Sequence, residues 1–408
     1  MKILTLCLAA VLVLLLILSA YLPGMLAKPV SPQLSTKPSQ SAPTQVTEPG
    51  ESSEPTESVQ VTEPTQATEP TQSTEPTQPT VPETMPDGER FLISFAGDCT
   101  FADNLTSPPS WDLFTSVVGD KYDYPLAGVK PYFATDDLTI VNLECALTTY
   151  DPTEEEIKAL QLDTKSFRFR GPLEYVNILT SGSVEVASVA NNHARDFAEP
   201  GWKETLSVLK NAGVGYASWG YNCLITTENG LKVGIYANNS WVTESGMVSN
   251  IQKLRQQGAE VVVVSLHWGE ERHYAPNEEQ QKLGRLAIDS GADIVFGHHP
   301  HVLQPLEFYK GGLIMYSMGN FSFGGNRNPV DKDTVVVQQE FIRTAEGSVV
   351  LGETILIPCR ISSTPSRNDY QPTPYDPADP GYLRVLSKLD GSYAQKWLEE
   401  QAAKNPET

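Results

Sequence analysis

Side chains that can bind metal ions follow five apolar runs of this sequence, close to the point where each run ends. Asp98 follows residues 91–96, and Glu144 follows Leu138–Leu143. The other groups are Asn191, Asn192 and His193 after 184–189, His267 after 261–266, and His298, His299 and His301 after 294–296. Mixed sets of imidazole, carboxylate and amide ligands suit Zn, Mn or Fe, whereas a structural zinc cluster uses cysteines. The sequence therefore predicts a metal site.

The number of these ligands indicates two cations that share a bridging carboxylate. Such a pair can activate a water molecule and hold both oxygens of a phosphoester during its displacement. Five of the six histidines belong to this set, and only His273 does not. One histidine at a strand end is usually structural, but five histidines together with an Asp, a Glu and an Asn favour metal binding. We therefore expect two divalent ions, Mn, Zn or Fe, and, if the site is catalytic, metal-dependent hydrolysis.

The elements that position these groups are short buried strands that alternate with helices. Apolar runs predict strands over 91–96, 138–143, 184–189, 232–237, 261–266, 294–296 and 313–316, and amphipathic periodicity predicts helices over 202–211 and 278–290. This alternation indicates an α/β fold with a largely parallel or mixed sheet that is covered on both faces. In such sheets, ligand sites form at the carboxyl ends of the strands, where the metal-binding residues are expected.

Four segments divide the chain. Residues 1–27 contain an apolar stretch long enough to span a bilayer, and they predict a membrane anchor, a cleaved signal peptide or, as a third reading, a buried core helix. Residues 28–88 are rich in Thr, Glu and Pro and predict a disordered stalk or a tether without a length requirement. Residues 89–360 form the folded domain, and 361–408 form an extension with a short helical tail over about 381–403. The domain is expected to be extracellular, on a single-pass cell-membrane anchor, or secreted if the signal is cleaved.

The net charge of −21 excludes nucleic acid as a partner, because phosphate binding needs clustered Lys and Arg. The five cysteines lack the paired spacing of a disulfide framework. Cys99 and Cys145, which adjoin Asp98 and Glu144, are expected to be small buried apolar side chains.

Six blocks, in order along the chain, resemble the CapA-type family linked to poly-gamma-glutamate capsule synthesis, a branch of the calcineurin-like metallophosphatases. The blocks are FAGDCT (95–100), VNLE (141–144), VANNHARD (189–196), LHWGEE (266–271), GADIVFGHHPHVLQPLE (291–307) and YSMGNFSF (316–323). The resemblance implies a sandwich of mixed sheets flanked by helices, an anionic surface polymer or a phosphorylated substrate, and other capsule-synthesis membrane proteins as partners.

The resemblance also implies a role for each position. Asp98, Glu144 (as the bridge), Asn192, His193, His267, His299 and His301 are the implied metal ligands, and His193 and Asp196 are the implied catalytic residues. Asn191 and His298 are expected behind the ligands, and Asn320 either lines the site or shapes a loop. The chain departs from the wider phosphatase pattern because Cys99 and Thr100 follow Asp98, and because Ala194 follows His193 where an acid is usual. The CapA-type branch shares both departures.

Arg168 and Arg170 alternate along an extended segment and therefore point to the same side. They are expected either to bind carboxylates or phosphates or to form surface salt bridges. Glu270 and Glu271 are expected on a solvated face.

Three functions remain open from the sequence. The domain serves synthesis, export or anchoring of a poly-gamma-glutamate or similar polymer, or it is an exported phosphoesterase without a link to capsule, or it is a non-catalytic polymer-binding scaffold.

Overall fold

The computed structural model of the protein describes residues 85–162 and 164–404. The predicted membrane segment 1–27 and all but the last four residues of the predicted stalk lie outside the described residues. Within the described ranges, no helix is both long enough and apolar enough to cross a bilayer.

In the part of the chain that the structure describes, seventeen strands, numbered in chain order, form three sheets. The first sheet contains β1 (Gly88–Thr100), β3 (Leu138–Leu143), β6 (Val186–Ser188), β7 (Gly215–Ala217), β14 (Asn320–Phe323), β15 (Asp333–Thr344), β16 (Val349–Arg360) and β17 (Thr373–Pro374). Its order is β17-β16-β15-β1-β3-β6-β7, and β14 pairs with β1. Strands β1, β3, β6 and β7 are parallel, and β15 to β17 are antiparallel to their neighbours.

The second sheet has six strands in the order β12-β13-β11-β10-β9-β8. They are β8 (Cys223–Thr226), β9 (Lys232–Asn239), β10 (Val261–His267), β11 (Ile294–His298), β12 (Leu306–Tyr309) and β13 (Gly312–Met315). The four central strands are parallel and the two edge strands are antiparallel. A small third sheet consists of β2 (Asp103–Asn104), β4 (Ala146–Leu147) and β5 (Phe169–Gly171).

Nine α-helices connect and cover the sheets in the described residues. They are α1 (Phe114–Val118), α2 (Lys130–Phe133), α3 (Glu154–Ala159), α4 (Val176–Ser181), α5 (Ala198–Asn211), α6 (Glu244–Gln256), α7 (Glu278–Asp289), α8 (Pro380–Leu389) and α9 (Ser392–Lys404). Helix α7 begins at a capping box, in which the Asn277 side chain accepts a hydrogen bond from the Gln280 amide and the Gln280 side chain accepts one from the Asn277 amide.

The two large sheets pack face to face, and helices cover their outer faces. The central core joins apolar residues of both sheets, with the rings of Phe95 and Phe296 at a centroid distance of 5.2 Å. Helices α4 and α5 cover the outer face of the first sheet, and α6 and α7 cover that of the second. The predicted sandwich of mixed sheets flanked by helices is confirmed, and the covering of both faces arises from two sheets that each bury one face against the other.

The structure differs from the sequence prediction in several regions, among them helix α6, which was not predicted. The long hairpin of β15 and β16 was not predicted, because polar residues 338–340 and 353–354 interrupt the apolar runs of its two strands, and most side chains of β16 are half-buried or exposed. The predicted tail over 381–403 is two helices instead of one. They separate at Asp390 and Gly391, where Gly391 adopts a φ of 87°.

Two glycines allow the backbone to approach closely beside the predicted site residues Asp98 and His298. A Cβ atom on Gly97 would lie 2.1 Å from the carbonyl oxygen of Gly319, and one on Gly297 would lie 2.1 Å from that of Tyr316. Both contacts are with backbone, which cannot rotate away. Glycine is therefore needed directly before Asp98 and His298, because β1 and β11 lie so close to the backbone at Gly319 and Tyr316.

We predict that Gly297→Ala lowers the free energy of unfolding by about 3 kcal/mol, because the new methyl group overlaps a fixed carbonyl. Gly347→Ala is the matched control, because Gly347 has a φ of 84° and open space around it. Gly347→Ala should lower the free energy of unfolding by about 1–2 kcal/mol, because alanine is strained in the left-handed conformation. Chemical denaturation of both variants measures the difference, and equal losses would contradict the close-approach explanation.

Candidate metal centre

The carboxylate of Asp98 is the meeting point of groups from both large sheets. Asn142 donates a hydrogen bond of 2.9 Å to Asp98 Oδ1. The Nδ1 atom of His298 lies 3.1 Å from the same oxygen, and Nδ1 of His301 lies 3.2 Å from Asp98 Oδ2. Asp98 sits near the end of β1, and its own amide donates to the carbonyl of Gly319 at 2.9 Å. The face-to-face packing of the sheets thus brings residues 200 positions apart into contact.

Glu144 lies at the centre of the cluster, directly after β3. Its Oε1 atom is 3.3 Å from Nε2 of His267 and 3.9 Å from Nε2 of His301. Two sets of potential ligands share this carboxylate: Asp98, Glu144 and His301, and Glu144, His267 and His299. Within each set the ligand atoms lie within 4.8 Å of one another. Glu144 is therefore placed where a carboxylate could bridge two cations.

The cluster fits a metal ion because its polar atoms lack other partners. Among the described residues, most buried side-chain nitrogen and oxygen atoms without a hydrogen bond belong to this cluster: Asp98 Oδ2, both Glu144 oxygens, both ring nitrogens of His267 and of His298, and Nδ1 of His299 and of His301. Each unsatisfied buried group costs about 1–3 kcal/mol. Divalent cations coordinated by these atoms would remove that cost, so the donor set is suited to Zn, Mn or Fe.

Burial and mutual repulsion shift the pKa values of the cluster. Burial raises the pKa of Glu144 well above its usual value, and the nearby charge of Asp98 raises it further. Burial also tends to raise the pKa of Asp98, but hydrogen bonding and attraction by the His298 and His301 imidazoles outweigh this effect and hold that pKa well below its ordinary value. Burial and His299 lower the pKa of His267 strongly. Such opposed shifts in one cluster are typical of functional sites.

Two histidines of the cluster, His299 and His301, have a strained backbone conformation. His299 has a φ of 97° and His301 a φ of 57°, in the left-handed region that residues with a Cβ rarely adopt. The ring centroid of His299 lies 4.8 Å from that of His267 and 5.9 Å from that of His301. Strain of this kind persists where surrounding structure enforces it, commonly at functional sites.

His193 and Asp196 form a hydrogen-bonded pair beside the cluster. The two atoms Nδ1 of His193 and Oδ2 of Asp196 are 2.8 Å apart, and both side chains are buried. The ring of Phe169 packs on the imidazole at a centroid distance of 4.2 Å. Burial lowers the pKa of His193, and Asp196 opposes that shift. The structure thus brings together the two residues predicted to be catalytic, whose role stays a prediction.

The three predicted asparagines occupy different environments. The amide of buried Asn191 donates to Asn142 Oδ1 at 3.1 Å and to the carbonyl of Leu143 at 2.8 Å, behind the carboxylates. Asn192, the predicted amide ligand, is exposed, so its ligand role stays a prediction. Asn320 donates to the carbonyl of His301 at 3.3 Å, while its Oδ1 atom is buried without a partner. Asn320 therefore both shapes the loop and faces the site.

Arg168 and Arg170 stack on one side of their strand, as their alternation predicted. Their guanidinium carbons lie 4.8 and 4.1 Å from the ring centroid of Phe197. Arg170 forms an ion pair of 2.5 Å with Asp151, and Arg168 Nε donates to the carbonyl of Asp196 at 3.2 Å. The salt-bridge alternative therefore holds for Arg170, and binding of an anion by either residue stays a prediction.

Sequence reasoning missed Glu271 and Lys165. Glu271 is exposed, as expected, but its carboxylate forms a third potential ligand set with His299 and His301. Its position four residues after His267, in the block LHWGEE, was the available signal. Lys165 contacts the Asp196 carboxylate and donates to the carbonyl of Asn192 at 2.6 Å. No sequence signal separated this lysine from ordinary surface lysines.

Buried thiols adjoin the cluster without joining it. Cys99 and Cys145 are fully buried, and burial raises the pKa of both thiols. They therefore stay protonated and pack as small apolar side chains, because only the thiolate is a good metal ligand.

A cavity of about 460 Å³ opens beside the metal-ligand cluster. Its lining includes Phe169, His193, Glu271, Tyr274, His301 and Asn320. The cavity thus touches a potential metal ligand, the His193 imidazole and aromatic walls, a combination typical of a substrate pocket.

We predict that Glu144→Gln weakens binding at both shared ligand sets by at least about a hundredfold. Loss of a group that merely supports a ligand already costs 10–100-fold, and Glu144 is common to both sets. Glu185→Gln is the control, since this carboxylate accepts a hydrogen bond from the Thr139 amide at the other end of β3. Equilibrium dialysis against Mn²⁺ and Zn²⁺ with elemental analysis measures the change. Unchanged metal content in Glu144→Gln would contradict the bridging position.

Comparisons with known proteins agree with the blocks seen in the sequence. The family model described as bacterial capsule synthesis protein PGA_cap matches residues 92–325. The capsule biosynthesis protein CapA of Bacillus anthracis is 31% identical over 243 residues, which cover 53% of this chain and 57% of that protein. The PGA biosynthesis protein CapA of Bacillus subtilis (strain 168) is 30% identical over 247 residues, which cover 54% and 61%. The match thus spans under two thirds of the length of these relatives.

A solved structure of a putative 5'-nucleotidase from Staphylococcus aureus in complex with alpha-ketoglutarate is similar at a TM-score of 0.41 and 13% identity, covering 76% of this chain and 59% of that one. A similarity this low carries no conclusion about the site. The family model includes every strand end that contributes a potential ligand, from Asp98 to His301. The chain therefore belongs to the bacterial capsule synthesis protein family PGA_cap.

Proposed function

We propose that the protein acts in capsule synthesis by hydrolysing or transferring a poly-γ-glutamate-like polymer at its metal centre. The observation that carries the proposal is the cluster of unsatisfied carboxylates and imidazoles beside a cavity that also contains His193. Two relatives named for capsule or PGA biosynthesis support the choice of polymer.

Asp98, Glu144, His267, His299 and His301 would hold the cations, with Glu144 between them. Bound there, two divalent cations would supply an activated water and charge stabilisation for the oxygens of the bond under attack. The close strand ends fix these ligands, so little reorganisation is needed when substrate binds.

His193 is suited to protonate the leaving group. Asp196 accepts from Nδ1, which fixes the ring orientation and leaves Nε2 to exchange a proton. Burial lowers the pKa of the imidazole, whereas Asp196 favours the protonated ring that can donate a proton from Nε2, and Phe169 packs on one face of the ring. Lys165 contacts the other oxygen of Asp196, so the carboxylate is fixed from two sides.

The volume and the lining residues of the cavity favour a short segment of an extended polymer as the substrate. Its volume lies within the roughly 300–1,000 Å³ common for ligand pockets. Phe167, Phe169 and Phe323 offer apolar surface to the polymer backbone, and Arg272 also lines the cavity. An arginine in this position suits the carboxylates of an anionic polymer.

The proposal extends to location and partners. Residues 1–27 would anchor the protein in the cell membrane, and residues 28–88 would carry the domain outside it, next to membrane proteins that make or export the polymer. The support for this arrangement is the sequence of those segments.

A second function, a phosphoesterase without a link to capsule, is favoured by one observation. Two ligand sets that share a carboxylate, next to a histidine able to protonate a leaving group, are the groups that phosphoester hydrolysis requires. The two functions differ in substrate and share the same side chains.

We predict that purified protein with Mn²⁺ shortens poly-γ-glutamate chains, and that His193→Ala lowers the rate by about 10²–10⁴-fold at unchanged metal content. Asp289→Asn is the control, because Asp289 is exposed on α7 and pairs with Lys310. Chain length is followed by gel filtration, with bis(p-nitrophenyl) phosphate assayed in parallel. Turnover of the phosphodiester alone would replace the polymer function with the second one. Bound metal without any His193-dependent turnover would refute both and leave a scaffold.

A further inference from the structure

The two C-terminal helices lie outside the part of the chain that matches the family model, yet they pack on the domain that carries the metal centre. The match ends at residue 325, and α8 begins at Pro380. Val385 and Leu389 of α8 belong to the core between the two large sheets. Helix α8 is therefore fixed to the domain, and α9 packs against α8.

Lys388 of α8 is buried in an ion-pair network that reaches the cavity wall. Its side chain is 2% exposed, and Nζ lies 2.8 and 2.6 Å from the two oxygens of Asp331 and 2.7 Å from Asp333 Oδ2. Arg384 binds Asp333 with two further hydrogen bonds of 2.7 Å. Two cations thus balance two carboxylates, as burial of charge requires. Asp331 itself lines the cavity beside the metal centre.

The same lysine lies between two tyrosines that connect the helices to the loop after His267. Nζ is 5.3 Å from the ring centroid of Tyr274 and 5.2 Å from that of Tyr393 in α9. The two rings pack at 4.9 Å. Tyr274 lines the cavity, so Lys388 touches two of its lining residues, one through a salt bridge and one through a cation–π contact.

Trp397 of α9 extends this contact along the loop. Its ring centroid lies 5.3 Å from that of His273 and 6.1 Å from that of Tyr274. These residues follow Glu271, whose carboxylate forms a potential ligand set with His299 and His301. Two hydrogen bonds also hold this loop. The Arg272 amide donates to the Pro300 carbonyl at 2.8 Å, and the Gln304 side chain donates to the His273 carbonyl at 2.8 Å.

We propose that α8 and α9 form a clamp that holds the wall of the substrate cavity, with Lys388 as the residue that positions Asp331 and Tyr274, and Trp397 as the residue that positions the segment carrying Glu271. The clamp rests on the proposed function in one respect, that substrate binds in this cavity. Its consequence is that the C-terminal helices set substrate affinity without contacting the metal ligands at the strand ends.

The first test measures hydrogen exchange, which needs no activity. The full-length protein is compared with Trp397→Ala and with Leu398→Ala, a control that removes a largely exposed side chain from the same helix. We expect peptides covering residues 269–276 to exchange at least tenfold faster in Trp397→Ala and at the wild-type rate in Leu398→Ala, with strands β10 and β11 unaffected. Unchanged exchange of this segment in Trp397→Ala overturns the clamp, whether or not the protein turns over any substrate.

The second test separates positioning from stability. Lys388→Met is compared with Lys388→Arg and with Lys396→Met, which neutralises an exposed lysine of α9. Using poly-γ-glutamate or bis(p-nitrophenyl) phosphate, whichever the wild type cleaves, we expect KM to rise at least fivefold in Lys388→Met, kcat to stay within twofold, and Lys388→Arg to restore much of the affinity.

Mere loss of folded protein would lower the apparent kcat at unchanged KM, and that result overturns the positioning role. If Lys388→Met fails to fold, the KM of Trp397→Ala decides by the same criterion. Absence of wild-type turnover counts against the proposed function, while the exchange experiment still decides the clamp.

Discussion

The structure depends on the burial of two carboxylates and four imidazoles that satisfy one another only in part. Asp98 and Glu144 are fully buried, and the repulsion between them adds to the desolvation that raises the pKa of Glu144. Hydrogen bonds from the protein satisfy only part of the cluster, since both Glu144 oxygens and both His267 nitrogens have no such partner. A buried charge without compensation is expensive, and cations at these atoms would remove the penalty. The cluster is therefore best understood as a metal centre.

The fold provides this cluster by packing two sheets so that their strand ends meet. The glycines at positions 97 and 297 let β1 and β11 approach neighbouring backbone, and the left-handed residues His299 and His301 turn their rings back towards the carboxylates. The cavity beside the cluster receives walls from more distant parts of the chain, including the segment near Asp331 that the C-terminal helices hold. The potential metal ligands thus lie on rigid strand ends, whereas loops form much of the cavity wall.

The sequence predicted that the potential ligands lie close together, because apolar runs indicate buried strands and parallel strands end at a common edge. Sequence reasoning found Asp98, Glu144 and the histidines for this reason, and the amphipathic helix α7 by its periodicity. The hairpin of β15 and β16 was missed because polar residues, 338–340 in β15 and 353–354 in β16, interrupt the apolar runs of both strands. Glu271 and Lys165 could not be assigned because their positions depend on loop paths that no periodicity encodes. The network around Lys388 joins residues 57 positions apart, and only tertiary packing reveals it.

Anomalous X-ray diffraction from crystals grown with Mn²⁺ would show whether the cluster binds metal, because it locates the ions independently of any substrate. We predict two peaks, one among Asp98, Glu144 and His301 and one among Glu144, His267 and His299, with Glu144 contacting both. A single peak at either set would restrict the centre to one ion and remove the bridging role of Glu144. Absence of any peak at these residues in crystals saturated with Mn²⁺ and with Zn²⁺ would contradict the metal centre itself.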